Sequence, residues 1–320
     1  MEALDVTELD LGALGAPDRA ALSALVSRSG AARGHPPLPE PQLRAVAKEG
    51  PGTAPAASGR ALLGRRHGSL AGSAFLTHAT DGTTVLHVVV DPAAKDDGVA
   101  AELIERAVAA APAGSPIHLW AMQAGPADDA RARALGFVPE RDLLQMRVAL
   151  PLPDDVVQAT RPLATRSFVV GQDEEAWVET NNRAFGGHPE QGSWSVEQLR
   201  DRMKADWVDL DGFLLADAPD GAGLIGSCWT KIHWGRAPLL GEIYVIAVDP
   251  RFHGQGWGRS LTVAGLVWLA GRGITTGMLY TDASNEAAVS LYRSLGFSVD
   301  HIDRSYRHDP GHRSDAAAPN

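Results

Sequence analysis

The stretch that decides the fold is VIAVDPRFHGQGWGRSLTVAGL, residues 245–266. A β-type apolar run, YVIAV, ends at Asp249-Pro250, and a helical apolar pattern begins at about Leu261. Between them Gly254, Gly256 and Gly258 stand at every second position. A helix N-terminus leaves backbone N–H groups unpaired and carries partial positive charge, so it attracts anions. A glycine-rich approach lets the backbone fold into a nest and come close to phosphate oxygens. HGQGWGRS offers the N–H groups of Gly254, Gln255, Gly256, Trp257 and Gly258, flanked by Arg251 and Arg259. A diphosphate suits that arrangement. The same glycines also suit a plain strand-to-helix turn, because G-x-G-x-G alone is a weak signal. The register is wrong for the dinucleotide fingerprint G-x-G-x-x-G, and no G-K-[ST] follows as in a P-loop.

Outward from this stretch, the chain reads as two copies of one unit. In the second half, 174–185 and 196–204 read as helices, and 212–218, 223–234 and 240–250 as strands. A helix over 261–271, a strand over 276–283 and a helix over 285–297 follow. The first half gives a helix over 17–29, strands over 60–66, 70–78 and 83–91, a helix over 99–111, a strand over 117–122 and a helix over 127–137. Asp91 in VVVDP and Asp249 in IAVDP lie 158 residues apart; Gly136 in RALGF and Gly296 in RSLGF lie 160 apart. Two segments at nearly one spacing indicate a tandem duplication. The proline-rich stretch 148–163 joins the halves. The expected domains are 1–150 and 151–307, with a disordered tail over 308–320.

Bulk properties narrow the function. The 320 residues suffice for two domains, and 44% hydrophobic content gives each a core. A net charge of -10 disfavours nucleic acid as a partner. The single cysteine, Cys228, excludes an intrachain disulfide and reads as a small buried side chain. The acidic N-terminus does not read as a signal peptide, and no apolar run reaches the roughly 20 residues of a membrane span. A cytoplasmic monomer with small-molecule partners is expected. His188 and His233 lack partners at ligand spacing, so no metal is expected.

The order strand, VDP, glycine loop, helix, strand and then SNEAAVSLYRSLGF resembles the GCN5-related N-acetyltransferase (GNAT) family. That family's loop, R/Q-x-x-G-x-G/A, binds the pyrophosphate of acetyl-CoA, and His253 stands at its first position. The downstream pattern matches at Asn285, Ala288, Tyr292, Gly296 and Phe297. The resemblance implies an α/β (α+β) fold of two tandem GNAT domains, each a mixed, mostly antiparallel sheet flanked by helices. It implies acetyl-CoA as co-substrate. The cofactor would be held by Ile246, Ala247, Val248, His253, Gly254, Gln255, Gly256, Trp257, Gly258 and Arg259. Asn285, Glu286, Ala287, Ala288, Val289 and Ser290 would join them, with Val88, Val89 and Val90 in the first copy. Glu242 would be the general base, directly or through water, and Tyr292 the general acid for the CoA thiolate. A helix tyrosine packed between Phe297 and the sheet is the other reading of Tyr292.

NNRAFGGHPEQGSW, WTKIH, LGEIYVIAVDP and LYTDASN, taken with the two copies, resemble the mycothiol synthase family of actinobacteria along nearly the whole chain. That resemblance implies acetylation of the cysteinyl amine of a cysteinyl-glucosaminyl-inositol, with Glu40, Glu190, Lys231, Glu242 and Tyr280 lining the substrate pocket. Comparison of the two copies leads to the expectation that the first domain does no acetyl transfer. Offsets of 158 and 160 set Thr84 against Glu242 and Ala132 against Tyr292, and KDDGVA replaces the glycine loop. Acetylation of another small amine or a protein N-terminus, and a silent acyl-CoA sensor, stay open as alternatives.

Overall fold

A computed structural model describes residues 3–47, 59–79, 82–94, 97–186, 193–219, 221–234 and 239–309. The chain forms two compact units, one of residues 1–142 with 302–320 and the other of 143–301.

The first unit carries β1 (Asp5–Asp10), α1 (Ala16–Arg33), α2 (Glu40–Ala47), β2 (Gly59–Arg66), β3 (Ser69–His78) and β4 (Thr84–Val90). Next come α3 (Val99–Ala110), β5 (Ile117–Ala121), α4 (Pro126–Ala134) and β6 (Val138–Ala149), whose last residues belong to the second unit. Strands β1 to β5 lie in chain order, antiparallel except for β4 and β5. Alternation in β2 to β4 supplies both faces. Leu62, Ala74, Leu76 and Leu86 pack with Leu103, Ile104 and Ala107 of α3, while Leu63, Phe75 and Val89 pack with Leu22 and Leu25 of α1.

The second unit repeats the plan. It holds α5 (Asp154–Gln158), β7 (Arg166–Ser167), α6 (Glu174–Ala184), α7 (Val196–Arg202), β8 (Phe213–Asp217), β9 (Leu224–His233) and β10 (Leu240–Val248). α8 (Trp257–Gly271), β11 (Thr276–Asp282), α9 (Glu286–Ser294) and β12 (Ser298–His308) complete the chain. Strands β7 to β11 are in order, with β10 and β11 the parallel pair. One face is an aromatic core of Trp177, Phe213 and Trp229 with Leu199 and Val245. On the other, α8 lies close to the sheet. A Cβ on its Gly265 would stand 2.5 Å from Cys228 Sγ and 2.7 Å from Ile243 Cδ1, so only glycine permits that approach.

The last strand of each copy is exchanged. Residues 143–149 of β6 pair antiparallel with β11, and 304–308 of β12 pair antiparallel with β5. The units therefore part at 142/143 and 301/302, where the sequence reading set the junction at 150/151 and the end of the second domain at 307. β1, β6, β7 and β12 were not foreseen as strands. β12, SVDHIDRSYRH, is too polar for a local pattern to show. Several of its polar groups take distant partners: Arg304 donates to Asp142 at 2.6 Å and to Asp129 at 2.8 Å, and the Tyr306 hydroxyl donates to Asp129. His308, expected in the tail, ends β12; from 310 the expected tail lies outside the described residues. Among the described residues no helix is long and apolar enough to cross a membrane.

Candidate active site

The site of the second unit starts at a fault in β10. Its parallel ladder with β11 runs from Leu240↔Thr276 to Ile243↔Leu279. Its ladder with β9 shifts register between Ile243 and Val245, a bulge at Tyr244, and continues to Val248↔Gly226. After the bulge β10 stays with β9 and parts from β11. Ile246, Ala247 and Val248 lie on the parted segment, where an extended ligand can be met as an added strand.

Asp249 closes the strand. Its carboxylate accepts from Arg251 and from Arg183 of α6, and from the Arg251 N–H at 3.0 Å. Burial works to raise this carboxyl, but the Arg251 and Arg183 bonds outweigh it and hold it down to about 2. His253, expected beside a phosphate, has a partner within the chain. Its Nε2 lies 2.9 Å from the Val248 carbonyl, and since a carbonyl only accepts, the ring donates and ties the loop to the strand end.

Gly254 and Gly256 have φ of 73° and 85°, in the left-handed region. Gly256 caps α8 and has no side chain to offer, so the first N–H groups of the helix are left for a ligand. Two arginines brace this loop. Arg161 stacks 3.6 Å over the Trp257 ring and donates to the Gln255 carbonyl, and Arg259 donates to Thr160 and Ser294. Arg161 lies in the expected linker, where nothing local singles it out.

Asn285 caps α9, its side chain accepting from the Ala288 N–H at 3.1 Å. Glu286 to Ser290 begin that helix. Tyr292 is buried with its ring 5.7 Å from that of Phe297. Burial, with Cys228 second, pushes its phenol up to about 12, so it keeps its proton at neutral pH. Burial likewise pushes the Cys228 thiol up to about 12, which leaves it no thiolate to attack with.

Glu242 is 8% exposed on β10, opposite Lys231 of β9 and Met278 of β11. Tyr280, two residues beyond Met278, faces the same way, and its hydroxyl accepts from Gln145 Nε2 at 2.7 Å. The Lys231 ammonium lies 4.5 Å from the centre of the Trp207 ring and 5.4 Å from that of Tyr244. The Tyr244 hydroxyl in turn accepts from Arg202 Nε at 2.6 Å. The fold thus gathers Glu242, Lys231 and Tyr280. Glu190 and His188 lie outside the described residues. Glu40 is in the first unit, where it begins α2 and pairs with Arg44 at 3.7 Å. His233, set aside in the sequence, places Nε2 2.8 Å from Glu242 Oε2. A signal existed: WTKIH and LGEIY stand on consecutive antiparallel strands, which brings Lys231 and His233 to Glu242. Among the described residues no group of His, Cys, Asp and Glu is placed to hold a metal ion.

The first unit shows the same parting with other side chains along it. The β4 ladder with β5 runs from Thr84↔Ile117 to His87↔Trp120, and Val88, Val89 and Val90 lie beyond it. The β3 ladder continues without a bulge from Thr84 to Val90. Counted from Gly72↔Val90 and Gly226↔Val248, the counterpart of Glu242 is therefore Val85, opposite Thr77, and Thr84 is one residue out of register. Gly98 caps α3 with a φ of 76°, as Gly256 caps α8, and Ala132 is buried in the core. Lys95 and Asp96 lie outside the described residues.

A mixed sheet whose parallel pair parts at a bulge before a glycine-capped helix is the architecture of the GCN5-related acetyltransferases. The profile of the Acetyltransferase (GNAT) family matches residues 175–297. The solved GCN5-related N-acetyltransferase from Sphaerobacter thermophilus aligns with a TM-score of 0.66 at 24% identity, over 95% of this chain and 96% of that one. A tandem GNAT protein from the clavulanic acid biosynthesis pathway aligns with a TM-score of 0.68 at 16% identity, over 97% of this chain and 99% of its own. The mycothiol acetyltransferase of Thermobispora bispora is 39% identical over 293 residues, 91% of this chain and 96% of that relative. That of Kocuria rhizophila is 37% identical over 312 residues, 95% of this chain and all of the relative. The chain belongs to the mycothiol acetyltransferase family.

Proposed function

We propose that the second unit transfers the acetyl group of acetyl-CoA to the cysteinyl amine of a cysteinyl-glucosaminyl-inositol, giving mycothiol and CoA. The observation that carries this is the buried Glu242, set on β10 just before the strand parts from β11. The pantetheine arm lies along Ile246 to Val248, and the diphosphate at the N–H groups of Gly254 to Gly258. Glu242 takes a proton from the amine, directly or through water, and the amine nitrogen attacks the thioester carbon. A backbone N–H of the parted strand steadies the oxyanion. The C–S bond then breaks, and Tyr292, which keeps its proton, donates a hydrogen bond to the departing thiolate. Lys231 and Tyr280 hold the polyol, with Glu190 and Glu40 added by family resemblance. The first unit, with Val85 and Ala132 at the corresponding positions, does no acetyl transfer. The chain works as a cytoplasmic monomer without a metal.

The test is mass spectrometry of products after incubation with acetyl-CoA and the cysteinyl amine. One added acetyl group on nitrogen is expected. Glu242→Gln should keep acetyl-CoA affinity and lose turnover by about 100-fold or more at neutral pH, with partial recovery at high pH. Unchanged turnover would remove the base role.

A further inference from the structure

The proposed base is held by a second side chain. Across the β9–β10 pair, Lys231 stands opposite Glu242 and His233 opposite Leu240, so His233 is the diagonal neighbour of Glu242 on one face. Its Nε2 lies 2.8 Å from Glu242 Oε2. A carboxylate only accepts, so this bond requires the proton on Nε2. Neighbouring polar groups have contacts of their own. Lys231 lies over Trp207 and Tyr244, Arg202 of α7 donates to the Tyr244 hydroxyl, and Tyr280 of β11 accepts from Gln145. Arg147 of β6 pairs with Asp300 at 3.1 Å.

We propose that His233 is a positioning residue for acetyl transfer: by donating to Oε2 it fixes the Glu242 carboxylate and leaves Oε1 to take the amine proton. The inference rests on reading Glu242 as the base. A glutamate has several side-chain torsions, and an unanchored one spends most of its time away from the reactive geometry. The imidazole removes that freedom from the strand next door. It touches neither donor nor acceptor in this scheme, so its loss should act on kcat and spare the KM for acetyl-CoA.

The experiment is a double-mutant cycle, with steady-state kinetics on the full chain and calorimetry of acetyl-CoA binding as a check of folding. His233→Phe fills the site without a donor and should lower kcat by roughly tenfold with acetyl-CoA affinity unchanged. His233→Gln keeps an N–H donor at similar reach and should restore most of that loss. In a Glu242→Gln background, His233→Phe should lower the residual rate no further, because the group through which it acts is gone. Wild-type kcat in His233→Phe, or an equal loss in both backgrounds, would overturn the proposal while leaving the base in place. Wild-type turnover in Glu242→Gln alone would instead sink the base reading, and this inference with it.

Discussion

Replacing Gly256 and Gly258 by alanine, one at a time, separates two reasons for glycine in the loop. Gly256 has a φ of 85°, and a Cβ built on it would meet nothing within 4 Å. The cost of Gly256→Ala is thus purely conformational, about 1–2 kcal/mol for an L-residue held in the left-handed region. If the loop keeps its shape, that cost appears as lost stability. If the loop relaxes, the N–H groups move off the diphosphate, and the KM for acetyl-CoA rises by up to about 5- to 30-fold. Gly258 has no positive φ, and its Cβ would stand 3.6 Å from Leu291 Cδ2 and 3.9 Å from Val248 Cγ2, ordinary contact distances. Its counterpart in the first unit is Ala100, buried in the first turn of α3, whereas Gly256 keeps a glycine counterpart in Gly98. Gly258→Ala should therefore change stability by less than about 0.5 kcal/mol. Its KM should stay within about twofold. Urea denaturation and initial rates with each substrate varied in turn measure both. A KM increase in Gly258→Ala equal to that in Gly256→Ala, at unchanged stability, would show that closeness to the phosphate, and not backbone conformation, sets the glycine requirement.

Tyr292→Phe removes the hydroxyl and keeps the packing against Phe297. It should lower kcat by about 10- to 100-fold with little change in either KM. Wild-type kcat would leave Tyr292 as a packing residue. In the first unit His87 is buried, and burial pushes its imidazole down from 6.5 to about 4. The unfolded chain binds a proton below about 6.5 and the folded one does not, so the stability of this unit should fall as pH drops from about 6.5 to about 4 and level off below. His87→Val, the residue type of its counterpart Val245, should flatten that fall in urea midpoints taken at pH 7 and 4.5; an unchanged slope would refute the assignment. A fragment of residues 1–150 lacks residues 302–308, which pair with β5, and leaves Asp129 and Asp142 without Arg304. It should show no cooperative thermal transition by circular dichroism, and a sharp one would show that the exchanged strand is dispensable.

Much of the site was legible because its signals are local. The β10 apolar run, the glycines at every second position and the helix behind them sit within some twenty-five residues, and each has its own physical cause. The duplication was legible too, since VDP and LGF recur at nearly constant spacing. That spacing also misled. A constant offset assumes equal strands, but β10 carries a bulge at Tyr244 that β4 lacks, so before the bulge the copies slip by one residue. Thr84 was therefore matched to Glu242 where the ladder sets Val85. The partner of His253 was not legible either. Its place in the loop motif is correct, but its hydrogen bond goes to the Val248 carbonyl, five residues back.

The exchanged strands were illegible for a deeper reason. A strand shows in a sequence when one face is apolar and the other polar, and β12 offers Asp303, Ser305 and Tyr306 as buried residues with a half-buried Arg304 between them. Burying such groups is favourable only with partners in place. The Asp129 and Asp142 carboxylates that take Arg304 lie 175 and 162 residues earlier in the chain, and Asp303 accepts from the Gln123 N–H. No local window contains both sides of these bonds. β6 poses the same problem in reverse, with Gln145 buried and satisfied by Tyr280 from the second copy. Each copy thus lacks, within its own half of the chain, the strand beside its parallel pair. The duplication explains how one chain can hold two such sites of pairing: an ancestral last strand that fits one copy fits the other, because both copies present the same kind of edge. The C-terminal segment that pairs with β5 also brings Arg304 to Asp129 and Asp142, so the strand and the cation that these two carboxylates need arrive together from the far end of the chain.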